Sequence, residues 1–271
     1  MSDNFCSLYM ETALPNTKKM RFTTEVATFN DVTTAKTQVE NGEVYLIEFE
    51  ENAFFQEKKK TALVESVRIA LTELLKKHKI RMSSLVLVAG IGNDGMTADR
   101  LGVETLKGIN VSEHLYRKGL KPNGEGRLAT ITGRVAGITG IPSFDVIKGV
   151  TSRVKPSIVI AVDTLATKHL NRLARTIQIT DSGITPGSGV NNSCRPLNSA
   201  TLGIPVIAIG VPLVTYASSI AEALSHSYAK HSVKESSLIV TLKEIDPIVQ
   251  NLSQIIAEGI NLAVHRNILI Q

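Results

Sequence analysis

Two aspartates, Asp99 and Asp163, stand out as residues that could do chemistry. Asp163 directly follows the aliphatic run Ile158–Val162, and Asp99 follows the run Leu85–Ala89 after a Gly-rich turn, Gly90–Gly95. Carboxylates at neighbouring strand ends can share one proton. The ionised one then activates a water as base, and the protonated one polarises or protonates the scissile amide. A helix start near Asp99 would add backbone N–H groups that favour a carboxylate there. On spacing alone the structural reading, Asp99 as an N-terminal helix charge and Asp163 as a helix cap, is the stronger one, because Asp after a strand is common.

A second unusual stretch is Asp181–Val190, with three glycines and a proline in ten residues. Such a composition specifies a backbone path and not a packed element. Its N–H groups suit a peptide backbone or an oxyanion, which makes Asp181, Ser182, Gly183, Pro186, Gly187, Ser188 and Gly189 candidate substrate contacts. A bend at Gly133–Ser143 contributes Gly137 and Thr139, and the loop before Asp99 contributes Asn93 and Thr97. Other chemistries fit poorly. There is no G-x-S-x-G and no HExxH, and no Walker lysine follows a Gly-rich loop. Gly133–Gly140 lacks the strand-to-helix setting of a dinucleotide site. Cys194 has no histidine beside it in sequence, and the six histidines are scattered.

The elements that must position these residues read as one large α/β unit. The chain has 271 residues, 43% hydrophobic and 4% aromatic, with no Trp, so its core is aliphatic. Strands are expected at Val44–Phe49, Leu85–Ala89, Leu128–Ile131, Ile158–Val162, Thr176–Ile179 and Ile204–Gly210. Helices are expected at Lys58–Lys77, Ala98–Lys107, Phe144–Val154, Leu165–Arg175, Ser218–Ala229 and Ile245–Val264. This alternation implies an α/β fold of three layers, a mostly parallel central sheet flanked by helices. Functional groups then gather outside the C-terminal ends of the strands, at Gly90–Arg100, Asp163–Thr167 and Gly210–Thr215, joined by the two Gly-rich bends. Residues 1–40, polar and Thr-rich, read as an N-terminal arm or propeptide, with a single domain over 41–271.

The net charge of +5 is mildly basic, without a run that suits nucleic acid, and would steer an acidic protein partner. Two distant cysteines predict reduced thiols. Neither a signal peptide nor a membrane span is expected, which points to the cytoplasm.

Several stretches together resemble the germination proteases, endopeptidases of spore-forming bacteria that degrade small acid-soluble spore proteins. They are Val88–Asn93 with Thr97–Gly102, Gly137–Gly140, Ile160–Ala166, Thr176–Val190 and Leu202–Pro212, with weaker echoes at Leu238–Asp246 and Gly259–Ala263. The resemblance covers residues 40 to 265, and its most specific block is Thr176–Val190. It implies an atypical aspartic-type endopeptidase with Asp99 and Asp163 as the catalytic pair and no cofactor. It also implies a spore protein as substrate, a zymogen origin and a homotetramer in the spore core or forespore. The family's fold is similar to that of hydrogenase maturation proteases, which implies an alternative: a divalent metal ion on Asp99 and Asp163. A non-catalytic peptide-binding relative is a further alternative. The chain departs from the family in a short stretch between Tyr228 and Leu238 and in a poor N-terminal match at Tyr9–Pro15. Arg100 follows Asp99, placed to lower its pKa if it folds back, and Thr185 stands where a histidine is common.

Overall fold

The computed structural model describes residues 24–120, 124–187, 195–224 and 238–265. Nine strands among them form one sheet: β1 (Thr24–Phe29), β2 (Val32–Val39), β3 (Gly42–Glu48), β4 (Leu85–Gly92), β5 (Arg127–Arg134), β6 (Ile158–Thr167), β7 (Thr176–Thr180), β8 (Val206–Tyr216) and β9 (Ile239–Thr241). Their order is β1-β2-β3-β7-β8-β6-β4-β5, with β9 paired to β8. The centre, β5-β4-β6-β8, is parallel, as the α/β alternation requires. Beyond it β7, β3, β2 and β1 extend the sheet in antiparallel fashion.

Helices cover both faces and give the expected three layers. The helices are α1 (Glu57–Lys77), α2 (Leu101–Lys107), α3 (Glu113–Arg117), α4 (Ala136–Thr139), α5 (Ser143–Val154), α6 (Ser199–Leu202), α7 (Ala217–Leu224) and α8 (Ile245–Val264). On one face α1 and α8 bury Val67, Leu71, Leu74, Leu252, Ile256 and Ile260 against Val86, Val88, Ile160, Val162, Ile207 and Ile209. On the other, Phe144 and Ile147 of α5 pack with Leu202 onto Leu87, Ala89, Val159, Ala161 and Ala208. Successive residues of one strand thus enter opposite layers, so the central strands read as unbroken aliphatic runs.

Three features differ from the sequence reading. Part of the segment read as an N-terminal arm, residues 24–39, forms the hairpin β1–β2 and pairs onto β3, so this stretch belongs to the sheet. Its threonines carry a strand without carrying a hydrophobic signal. The helix expected over Leu165–Arg175 is absent: β6 continues to Thr167, followed by a single 3₁₀ turn at Leu170–Arg172. Likewise β8 runs on to Tyr216. The two extensions hold each other, pairing from Asp163↔Gly210 through a bulge at Leu165/Ala166 to Thr167↔Thr215. Cross-strand pairing here overrides the helix propensity of the Leu and Ala residues. Among the described residues no helix is long and apolar enough to cross a membrane.

Candidate active site

Asp163 sits inside β6, not at its end, at the point where β6 loses a neighbour. The β4–β6 ladder stops at Gly90↔Val162 and β4 itself stops at Gly92. From Asp163 onward one edge of β6 is therefore open, and the chain leaving β4 turns back into the gap. That return is a tight loop closed by a 3₁₀ turn, Thr97–Asp99, lying against β6, β8 and α8. The Asn93 amide donates to the Asp99 carbonyl at 2.9 Å and the Asp99 amide to the Met96 carbonyl at 2.8 Å. The chain reversal brings Asp99 beside Asp163.

Two glycines make this approach possible. Gly92 has φ +126°, and a Cβ there would stand 1.9 Å from the Asp99 carbonyl oxygen. A Cβ on Gly102 would stand 2.2 Å from the Val162 carbonyl oxygen and 2.4 Å from that of Ile91, so α2 is seated directly on the backbones of β4 and β6.

Asp163 is 5% exposed and accepts a hydrogen bond from the Thr164 amide at 2.8 Å. Burial pushes its carboxyl well above the ordinary range, and the nearby charge of Asp99 pushes it further, against the Thr164 N–H. Asp99 is partly exposed, and burial raises its carboxyl to about 6 against a backbone hydrogen bond from Asn93. A buried carboxyl beside a second, less buried one is the arrangement that shares one proton at neutral pH. Burial disfavours the charged form more strongly at Asp163, the more deeply buried of the two.

Arg100 does not fold back onto Asp99. Its guanidinium reaches Asp246 in the first turn of α8 at 3.0 Å, and Thr97 donates to the same Asp246 oxygen at 3.2 Å. No signal in the sequence separates Asp246 from any acid in a helix's first turn, and its place beside Asp99 was not legible there.

The other expected contacts divide between two ends of the sheet. Asn93 is on the rim of the pair, where its side chain accepts from the Gly95 amide at 2.8 Å. Gly137 and Thr139 lie exposed in α4, past the C-terminal end of β5, on the same rim; Arg134 ties this bend to Asp94 at 2.6 Å. Asp181 is elsewhere. Because β7 is antiparallel to β8, with Gln178↔Gly210 and Thr180↔Ala208, its C-terminal end emerges towards the opposite edge. Asp163 is level with Gly210. Asp181 is thus three residues further down, about 10 Å, and two strands across. The expectation that Asp181, Ser182 and Gly183 join the C-terminal ends of the parallel strands is not met, since it assumed a parallel strand.

Asp181 is 3% exposed at its side chain and accepts from the Glu43 amide at 2.7 Å, Lys77 at 2.7 Å and His78 at 2.9 Å. Burial alone would raise its carboxyl, but Lys77, the Glu43 N–H and His78 outweigh that and hold it below the usual range. His78 is half-buried in this cluster, beside a cavity of about 520 Å³ that Gln38, Asn41 and Ser199 also line. Ser182 bonds back to Thr180, and Gly183, at φ +88°, lies against the Leu197 carbonyl. Pro186 and Gly187 form a turn after the Ile184–Leu197 bridge. Ser188, Gly189 and Cys194 lie outside the described residues.

Among the described residues no three His, Cys, Asp or Glu side chains are grouped to hold a metal ion. Among those residues Asp99 and Asp163 would supply two carboxylates with no third donor of these types, a set that does not fit a bound metal ion.

The germination protease family matches the chain over residues 14–237. The germination protease of Caldanaerobacter subterraneus subsp. tengcongensis is 37% identical over 235 residues, covering 74% of this chain and 72% of the relative. That of Clostridium tetani is 34% identical over 234 residues, covering 72% and 71%. That of Oceanobacillus iheyensis is 42% identical over 167 residues, covering 61% and 46%. A family match across most of the chain, over a fold that brings two aspartates together at a strand edge, leads to one conclusion: the chain belongs to the germination protease family, and is a peptidase.

Proposed function

We propose that the protein is an endopeptidase that hydrolyses small acid-soluble spore proteins during germination, with Asp99 and Asp163 activating the attacking water. The observation that carries this reading is the placement of two carboxyls together at the open edge of β6, Asp163 buried and Asp99 partly exposed, where burial raises both. At neutral pH Asp99 is the ionised base and Asp163 holds the shared proton. Water gives a proton to Asp99 as its oxygen attacks the scissile carbonyl carbon, while Asp163 donates to the carbonyl oxygen. Collapse of the tetrahedral intermediate breaks the C–N bond; the leaving amine takes the proton from Asp99, and one hydroxyl of the intermediate returns its proton to Asp163 as the carboxyl product forms. The substrate in a spore setting and the homotetramer implied by the family resemblance belong to the same proposal. Incubating the protein with an acid-soluble spore protein, with product masses read over time, tests it: discrete internal fragments are expected, and an intact substrate would oppose the reading.

The pH profile follows. Below pH about 6 the pair takes up a second proton, on Asp99, and has no base, so kcat/KM falls on the acid side with a midpoint near 6. A rate that stays flat from pH 4.5 to 7 would contradict the assignment.

The rim supplies apolar side chains for an extended substrate. Met96 is 59% exposed, Ile141 51% and Ile138 44%. They stand on the loops after β4 and β5, which the Arg134–Asp94 pair joins. Covering one such side chain with substrate is worth about 1.5 kcal/mol, roughly tenfold in affinity. Met96→Gln and Ile138→Gln are therefore expected to raise KM roughly tenfold each with kcat nearly kept. A loss confined to kcat would remove these residues from the binding surface.

A further inference from the structure

Asp246 receives both residues that flank the turn of Asp99. Thr97, two positions before it, and Arg100, one position after it, donate to the same carboxylate oxygen, at 3.2 and 3.0 Å. Asp246 is well placed to accept them, in the first turn of α8, where a helix's free N–H groups favour an acid. The arrangement is poor as a stabilising ion pair. Asp246 is largely exposed, so the pair is screened, and the Arg100 Nε is buried without a hydrogen-bond partner. An orphaned buried donor costs stability. Maximal stability would turn the guanidinium outward or use Nε. What the arrangement secures is position, because the guanidinium is kept off the carboxylates that its own neighbour in the chain presents.

We propose that Asp246 is a positioning residue for the aspartate pair: it pins the Asp99-bearing turn to α8 and holds Arg100 turned away from Asp99 and Asp163. It touches neither the reacting atoms nor the pair; it acts through Thr97 and Arg100. The charged group that faces it from the Asp99 turn is Arg100, and Lys243 and Glu244 precede it in sequence, just before its own helix. Without Asp246 the turn loses its side-chain tie to α8 and keeps its own backbone bonds, among them those at Asn93 and Asp99. The freed guanidinium, one residue from Asp99, then stabilises that carboxylate in its ionised form and weakens it as a base.

The effect on turnover rests on the peptidase reading above; the effect on the turn does not. The test uses the full chain as wild type, Asp246→Ala, and Asp246→Ala combined with Arg100→Gln. Two readouts are taken: kcat and KM on an acid-soluble spore protein, and amide exchange at Asn93 and Asp99 by NMR. In Asp246→Ala the two amides are expected to exchange about tenfold faster, kcat to fall about tenfold and KM to stay within twofold. Adding Arg100→Gln is expected to recover several-fold in kcat while exchange remains fast, which a merely structural acid would not produce. Unchanged exchange in Asp246→Ala overturns the proposal, as does a double variant no faster than the single one. Were the wild type to show no peptidase activity, the exchange result alone would still decide whether Asp246 pins the turn.

Discussion

Asp163→Asn and Asp99→Asn are each expected to lower cleavage of a spore protein by about 10²–10⁴-fold and to keep the fold. Asparagine keeps the size of the side chain and can accept the one described hydrogen bond at position 163, from the Thr164 amide. It cannot exchange a proton with water or with an amide. The substitutions also relieve a cost. Both carboxyls are raised in the folded protein, by burial first and, for Asp163, by Asp99 second. A group with a raised folded pKa contributes stability that is complete below its unfolded value, near 4, and is lost as pH rises through its folded value. For Asp99 that loss sets in near 4 and is complete above about 6, and for Asp163 it continues to higher pH. Wild type is therefore expected to be more stable at pH 5 than at pH 8 relative to either variant. Near pH 8 Asp163→Asn is expected to melt a few degrees above wild type, in line with about 1–2 kcal/mol. Thermal melts at the two pH values, run beside the cleavage assay, check both parts. An inactive variant that melts lower at pH 8 would show that Asp163 serves the fold and would remove it from the chemistry.

The largest loss of stability is expected from Gly102→Val. Its first added carbon would overlap the Val162 carbonyl oxygen at 2.2 Å and both backbone groups of Ile91, at 2.4 and 2.5 Å. None of these is the end of a flexible side chain; all belong to the two central strands. The reverse contact is equally close, since a Cβ on Gly90 would stand 2.3 Å from the Gly102 carbonyl oxygen. Helix α2 would have to lift from the sheet and pull Leu101, fully buried in the core, with it. A cost of about 4 kcal/mol or more follows, at the severe end for single substitutions. Because α2 begins directly after Asp99 and Arg100, activity is expected to fall even at temperatures where the variant remains folded. Urea denaturation with and without Gly102→Ala as a smaller step gives the measurement; equal midpoints for wild type and Gly102→Val would mean that α2 does not sit on the strands as described.

How far these features could be read from the chain depends on where the energy lies. The runs Leu85–Ala89 and Ile158–Val162 are buried on both faces, so they appear as strands without any partner being known. Helices α1 and α8 carry a clean apolar stripe, and α8 was legible to the residue. Asp99 and Asp163 could be singled out because each follows such a run. The sheet's antiparallel half was harder. Thr24–Val39 is polar, and its strand character comes from pairing with β3, a contact that no local pattern encodes. The same holds for Leu165–Thr167, where local propensity favours a helix and the extended β8 wins. Asp181 illustrates the consequence for the site. The composition of its loop marks a special backbone path, but which edge of the sheet it serves depends on strand direction. That direction puts it with Lys77 and His78. Asp246, 147 positions from Asp99, becomes visible only when α8 is packed beside the Asp99 turn.

The central claim is that two carboxyls sharing one proton activate water. It is tested most directly by the pH–rate profile of spore-protein cleavage, recorded for wild type, Asp99→Asn and Asp163→Asn, with and without a strong chelator. A bell-shaped profile with its acid midpoint near 6, absent from both variants and unmoved by the chelator, is the predicted result. Cleavage that vanishes with the chelator and returns with added metal, or that persists in either asparagine variant, would contradict it.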